Sequence, residues 1–327
     1  MSKPRRTPTD RDATLLDQAL ALAPAQGGVI TTAQAKSLGA SDADLRRLVS
    51  GGDLWRIRRA VYASRAGYLG ALKGREVRHH LAAAAALAAM RTDAVVSHTS
   101  AARILSLPTP PFVDHLVHLT RRPPSSANDL RGTDLHVSGY DDADVVMVHG
   151  VPVLAGPRVV IDAAAVMPPD SALAVADAAI RLGVCTHEQL VRLYAEKRCH
   201  PGTAGAALII ERADPGSESW LESTSRWWFM DAGLPRPLLQ YEFRDRGVVR
   251  ARVDMYVREG RTVGEADGLG KYVTRADLIA EKIREDWLRS EHGVEVVRWT
   301  TGEMRTRRGR AAVMGRWWAA LERGSRR

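Results

Sequence analysis

Cysteine is nearly absent: the 327 residues hold two, Cys185 and Cys199. So few thiols imply no disulfide framework, and a chain of this length buries a core without such staples. Long apolar runs are missing too. The longest, residues 81–90, is alanine-rich and too short to span a bilayer. Residues 1–8 (MSKPRRTP) are basic and lack the apolar run of a secretory signal. A cytoplasmic protein with no membrane role is the expectation. No phosphate-binding glycine loop ending in Lys-Ser or Lys-Thr occurs, and no Gly-x-Ser-x-Gly elbow, so P-loop and α/β-hydrolase chemistry are set aside.

What is present is an excess of positive charge. Lys plus Arg number 47 against 38 Asp plus Glu, a formal net charge of +9. The hydrophobic fraction, 45%, is that of a globular protein. The length suits two or three domains, and the basic balance favours an anionic partner, most often nucleic acid.

The first segment, residues 10–65, reads as three short helices and a hairpin. Residues 13–22 carry apolar positions at helical spacing and end at Gly27-Gly28. Thr31-Thr32 opens a second helix. Ser41-Asp42-Ala43-Asp44 opens a third, with a capping serine and an acidic first turn. Residues 54–63 alternate as a basic hairpin. This is winged-helix order. Arg46 and Arg47 on the third helix are placed to face the major groove of DNA, and Arg56, Arg58 and Arg59 on the wing to lie near phosphates. The alternative is a three-helix scaffold with solvated arginines that contacts proteins.

Residues 66–212 mix elements: helices at 75–90, from Ser97, and at 159–166, 171–182 and 186–194, with short strands at 113–119, 134–137 and 144–149. A mixed α/β connector domain is expected there. Residues 213–327 give the sharpest pattern, a helix at 217–230, strands at 238–243, 249–257 and 262–267, a helix at 275–290, a strand at 294–300 and a helix at 311–321. The fold class is α/β (α+β): a winged helix at 1–65, the connector at 66–212, and an αβββαβα domain at 213–327.

Two strands of that last domain are joined by Arg258-Glu259-Gly260-Arg261. An unbulged hairpin pairs Val257 with Thr262, which sets Asp254 opposite Glu265 with Cβ atoms roughly 4.5–5.5 Å apart. Like charges so placed need a compensating cation. A hard divalent metal, Mg²⁺ or Mn²⁺, is one such cation, bound through one or two carboxylates and able to act on a phosphodiester. Otherwise Glu265 points outward and pairs with Arg252, Arg261 or Lys271. Glu218 is either a third acid of this site or a helix-start acid favoured by the dipole. Lys271 either positions water or phosphate or is a surface lysine. Glu281, Arg284 and Asp286 read as a solvated helix face.

Gly216-Ser217-Glu218-Ser219, then 233–240 (GLPRPLLQ), Arg252-Val253-Asp254, 265–272 (EADGLGKY) and Val296-Val297-Arg298-Trp299 together resemble the PD-(D/E)XK nuclease superfamily. More narrowly, they are similar to its very-short-patch-repair endonuclease branch. Residues 28–32 (GVITT) and 52–62 (GDLWRIRRAVY) resemble AbiEi-type antitoxins of type IV toxin–antitoxin systems. The first resemblance implies a restriction-endonuclease-like fold, with Asp254 and Glu265 as metal ligands and Glu218 assisting. The second implies a winged helix that binds DNA. The usual Glu-x-Lys stands here as Glu265-Ala266-Asp267, so an acid holds the lysine position and Lys271 would have to substitute from elsewhere.

The expected function is therefore that of a DNA-binding protein with a Mg²⁺-dependent endodeoxyribonuclease domain, in a toxin–antitoxin or phage-defence setting with a toxin partner encoded nearby. The alternative is a repressor or antitoxin whose nuclease-like fold is inert. A protein-interaction scaffold is a third option. Cys185, His187, Cys199 and His200 lack the spacing of a zinc set. His79 and His80 read as an exposed or interface pair, and the pairs Trp227-Trp228 and Trp317-Trp318 as packing.

Overall fold

A computed structural model describes residues 14, 17–18, 21–64, 75–90, 93–110, 115–124, 130–197, 203–268 and 275–326, without the side chains of 75 and 275–278. Two compact units divide between Val166 and Met167. The boundaries expected at 65/66 and 212/213 thus each fall inside a unit. The fold class is mixed α and β. Among the described residues, no helix is long and apolar enough to cross a membrane.

The front of unit 1 follows the order read from the sequence. β1 (Val29–Thr31) leads into α1 (Thr32–Ser37), α2 (Asp42–Gly51), β2 (Leu54–Arg58) and β3 (Val61–Ser64). Both helices start in capping boxes. The Thr31 hydroxyl accepts from the amide of Gln34, and the Ser41 hydroxyl from that of Asp44. Each satisfies an amide that a helix start leaves open. Gly52, in the left-handed region at φ 83°, ends α2. The three strands form an antiparallel sheet in the order β1-β3-β2. Ile30, Leu45, Leu48 and Leu54 fill the core between sheet and helices.

The rest of unit 1 holds α3 (Arg75–Ala89), β4 (Val95–Val96), α4 (His98–Ile104), β5 (Val117–Arg121), β6 (Thr133–Val137), β7 (Val145–Val148), β8 (Val151–Leu154) and α5 (Pro157–Val166). Its five strands run β6-β5-β4-β8-β7, with β5 and β6 parallel and β4 and β5 antiparallel. The β7–β8 turn needs a glycine. Gly150 has φ 75°, and a Cβ there would stand 2.2 Å from the Pro24 carbonyl oxygen.

Unit 2 begins with α6 (Pro169–Arg181), α7 (His187–Lys197) and α8 (Ala206–Arg212). Then come α9 (Trp220–Asp231), β9 (Leu238–Asp245), β10 (Val248–Val257), β11 (Thr262–Asp267), α10 (Arg275–His292), β12 (Glu295–Thr300), α11 (Thr301–Met304) and α12 (Arg307–Ser325). The sheet order is β12-β11-β10-β9, antiparallel except for the parallel β11–β12 pair that α10 connects. Met255, Val257, Ala266, Val297 and Trp299 pack with Phe229 of α9 and Trp317 of α12. Tyr256 and Val263 pack with Leu288 of α10. Gly264 lies beneath the Trp317 indole, where a Cβ would stand 2.3 Å from the ring. The helix α6 is joined to α9 by a buried ion pair, Arg226 Nη2 to Asp177 Oδ2 at 2.7 Å.

Candidate functional site

Two sets of charged residues stand out, one in each unit. On the front of unit 1, alternation along α2 buries Leu45 and Leu48 and leaves Arg46 and Arg47 exposed. Arg46 has no carboxylate partner among the described residues. Arg47 is paired with the buried carboxylate of Asp44, one turn earlier. On the wing, Arg56 and Arg59 are exposed. Arg58 is only half-buried and donates to the Arg131 carbonyl at 2.9 Å. The hairpin bulges between Arg56 and Arg58, and Ala60 turns it at φ 61°. Trp55, 40% exposed, sits beside Arg56. The result is a cationic helix face next to a cationic hairpin with one apolar ring.

In unit 2 the β10–β11 register pairs Val257 with Thr262 and Met255 with Gly264, as the hairpin reading expected. One step further, Asp254 and Glu265 lie near enough for their charges to interact. There the ladder gives way to a side chain: Asp254 Oδ2 accepts from the Ala266 amide at 2.8 Å. Glu265 is buried, at 4% exposure. It does not point outward to Arg252 or Arg261. Arg284 of α10 donates to its Oε1 from 3.0 Å, to the Glu281 carboxylate, and to the Arg252 carbonyl at 3.0 Å. Burial pushes the Glu265 carboxyl up to about 7, against the pull of Arg284 and with a further push from Asp254.

Glu281 and Arg284 are thus not a solvated face. They are half-buried parts of this network, because α10 packs against the sheet. Arg298 of β12 completes it, paired with Glu281, with Glu285 at 3.2 Å and with Asp267 at 3.3 Å. The acid in the lysine position, Asp267, is therefore neutralised by its neighbour on the parallel strand.

The helix-borne acid is displaced from its expected place. The helix starts at Trp220, with Ser219 as its cap, so Glu218 precedes it. Glu218 is held by Arg252 through two contacts of 3.0 and 3.1 Å. Glu222, in the first turn, is the buried acid. Its Oε2 accepts from the Glu218 amide at 2.8 Å and the Gln240 amide at 3.1 Å. Burial raises its carboxyl above the usual range, and the nearby charges of Asp254 and Glu218 push the same way. A serine three residues before a glutamate marks such a cap in sequence, but Ser217 and Ser219 compete for the position. Lys271 lies outside the described residues, as do Cys199 and His200.

Each of these carboxylates has one oxygen engaged. Glu265 gives an oxygen to Arg284, Asp254 to a backbone amide and Glu222 to two amides. Among the described residues, the ligand atoms that gather within 4.8 Å belong instead to His98, His118 and His136. The reading of His79 and His80 as an exposed or interface pair needs correction at His80 in its exposed form. His80 is buried, at 2% exposure, and His79 faces Ser100 Oγ at 2.9 Å. Packing of α3 against the front sheet accounts for it.

A capped helix with an arginine face, followed by a basic hairpin, is the order expected of a winged helix. Residues 17–65 match the family model described as transcriptional regulator, AbiEi antitoxin. Two Mycobacterium tuberculosis proteins, the uncharacterized proteins MT2308 of strain CDC 1551 and Rv2248 of strain H37Rv, are each 32% identical over 143 residues, 43% of this chain. The chain spans about half the length of these curated relatives, 52%. The crystal structure of the RV2827C protein from Mycobacterium tuberculosis aligns with a TM-score of 0.44 and 16% identity, over 72% of this chain and 85% of that one.

Proposed function

We propose that this protein is a DNA-binding transcriptional regulator of the antitoxin type. In this reading α2 enters the major groove and the β2–β3 hairpin lies along the phosphate backbone. The observation that carries it is Arg46, exposed and without a carboxylate partner among the described residues, on a capped helix inside the matching segment. A solvated arginine face would tolerate pairing, as Arg47 with Asp44 illustrates. Arg46, Arg56 and Arg59 instead keep their charge available for an anion. The partners of this reading are duplex DNA and a toxin encoded nearby, and its compartment is the cytoplasm.

The part of unit 2 from α9 onward, a helix, three strands, a helix, a strand and two closing helices, resembles a PD-(D/E)XK nuclease fold. Its carboxylates are restrained by Arg284 and by backbone amides, which supports a regulator whose nuclease-like domain is inert. A second reading, a Mg²⁺- or Mn²⁺-dependent endodeoxyribonuclease, is favoured by Asp254 lying near Glu265. There the metal would be held by Asp254 and Glu265, with Glu222 in place of Glu218 as the helix acid and Lys271 positioning water or phosphate.

The test is binding of the full chain to its own upstream DNA, followed by fluorescence anisotropy across a salt series. The regulator reading expects binding that weakens steeply with salt and needs no divalent metal. No binding at physiological salt overturns it. Calorimetric Mn²⁺ titration of the wild type and Asp254→Ala tests the second reading. Uptake lost in the variant, together with metal-dependent cleavage, would replace the inert domain with an active one.

A further inference from the structure

Three histidines far apart in sequence meet in unit 1. His118 lies on β5 and His136 on the parallel neighbour β6, where His118 pairs with Asp134 and Thr120 with His136. Period-two alternation puts His118, Asp134 and His136 on one face of the sheet. His98 follows β4, the other neighbour of β5, and Ser97 joins the two strands by donating its amide to the His118 carbonyl at 3.0 Å. The sheet order β6-β5-β4 thus lines the rings up across three adjacent strands.

The local geometry is closely drawn. His118 Nδ1 and His136 Nε2 are 3.0 Å apart. Asp134 Oδ2 stands 3.7 Å from the first and 3.8 Å from the second. The rings of His98 and His136 stack at 3.6 Å between centroids. One ring nitrogen of each histidine lies within 4.8 Å of the other two. Ser97 Oγ meets His98 Nδ1 at 2.9 Å, the kind of outer contact that fixes a ligating imidazole. His98 also holds φ at 50°, in the left-handed region that non-glycine residues avoid. Such strain persists where surroundings over-determine it, and it collects at functional sites.

We propose that His98, His118 and His136, with Asp134 as fourth ligand, form a binding site for a borderline-soft divalent transition metal of the zinc class. Imidazole nitrogens suit Zn²⁺ and Co²⁺, whereas Mg²⁺ prefers oxygen donors. Tetrahedral Zn²⁺ takes such ligands at about 2.0–2.1 Å, along the plane of each ring, so the 3.0 Å spacing of His118 and His136 has to open slightly and the His98 ring has to turn out of its stack on His136. The ligand form of histidine is the neutral one. Arg158 is paired with Asp162 at 2.7 Å. The metal would clip α4, β5 and β6 together.

The test uses the full chain stripped of metal with a chelator. Zn²⁺ is titrated against a chromophoric competitor, and Co²⁺ is followed by its visible absorption. The proposal expects one equivalent of either ion, with intense Co²⁺ bands of a tetrahedral site. His136→Ala, at a partly exposed position, lowers affinity by roughly tenfold or more. Asp134→Asn weakens it and changes the Co²⁺ spectrum. Zn²⁺ also raises the melting temperature of the wild type but not of His136→Ala. Absence of Zn²⁺ and Co²⁺ uptake overturns the proposal. So does uptake that is the same in the wild type, His136→Ala and Asp134→Asn. Asp254→Ala, in the other unit, leaves Zn²⁺ uptake unchanged, which separates this site from the carboxylates.

Discussion

Glu265 Oε1 lies 3.0 Å from Nη2 of Arg284, a carboxylate buried on a β-strand against a guanidinium carried by the next helix. The pairing does not make Glu265 an ordinary acid. Burial outweighs the cation, and its carboxyl rests at about 7 rather than 4.5. A carboxyl raised in this way favours the fold below its unfolded value, and that stability is lost as pH rises through 7. Ionising it costs the fold at most about 3 kcal/mol. Glu265→Gln should therefore melt higher than the wild type near about pH 8, and the gap should close near about pH 4, in thermal unfolding followed across that range. A gap independent of pH would remove the account.

The Asp177–Arg226 pair invites the opposite experiment. Both side chains are sealed from water, and Asp177 also accepts the Asp214 amide at 2.8 Å. Asp177→Ala leaves a buried guanidinium without its counter-charge. A loss of about 3–5 kcal/mol is expected, read from urea unfolding by tryptophan fluorescence. A loss below about 1 kcal/mol would mean that Arg212 and Ser217, its other contacts, already satisfy it.

Arg46 and Arg47 adjoin in sequence and differ in circumstance. If α2 reads DNA, Arg46→Ala should weaken binding and reduce the slope of log affinity against log salt by about one. Arg47→Ala should change the slope less, because Asp44 already offsets its charge. Equal effects would place both side chains on phosphates and dissolve the distinction.

Gly264→Ala asks the sheet to hold a methyl group where Trp317 already is. The loss should reach several kcal/mol, at the upper end of overpacking in a close-packed core. Trp317→Leu alone should also destabilise, by leaving a cavity. In the double variant the two costs should sum to more than the measured loss, a coupling that a double-mutant cycle in urea reads directly.

Much of this was legible beforehand because the signals were local. Thr31 and Ser41 announced two helix starts, and a short loop fixed the Val257–Thr262 register. The failures have different causes. Ser217 and Ser219 are both good caps, and choosing the earlier one moved the helix acid from Glu222 to Glu218. Arg284 looked like a surface residue because periodicity cannot say which side of a long charged helix meets a sheet. His98, His118 and His136 were invisible as a group, since only the order of strands β6-β5-β4 brings them together.

The indole over Gly264 has a historical consequence. A strand position with no side chain and a helix position with the largest one fill a single volume between them, so neither can drift alone. Across descendants of this chain, residue 264 would be free to enlarge only in lineages where residue 317 had already shrunk. Such paired substitutions would date the order of events in a family tree. They would also tell an aligner, from sequence alone, that the final helix lies across the third strand.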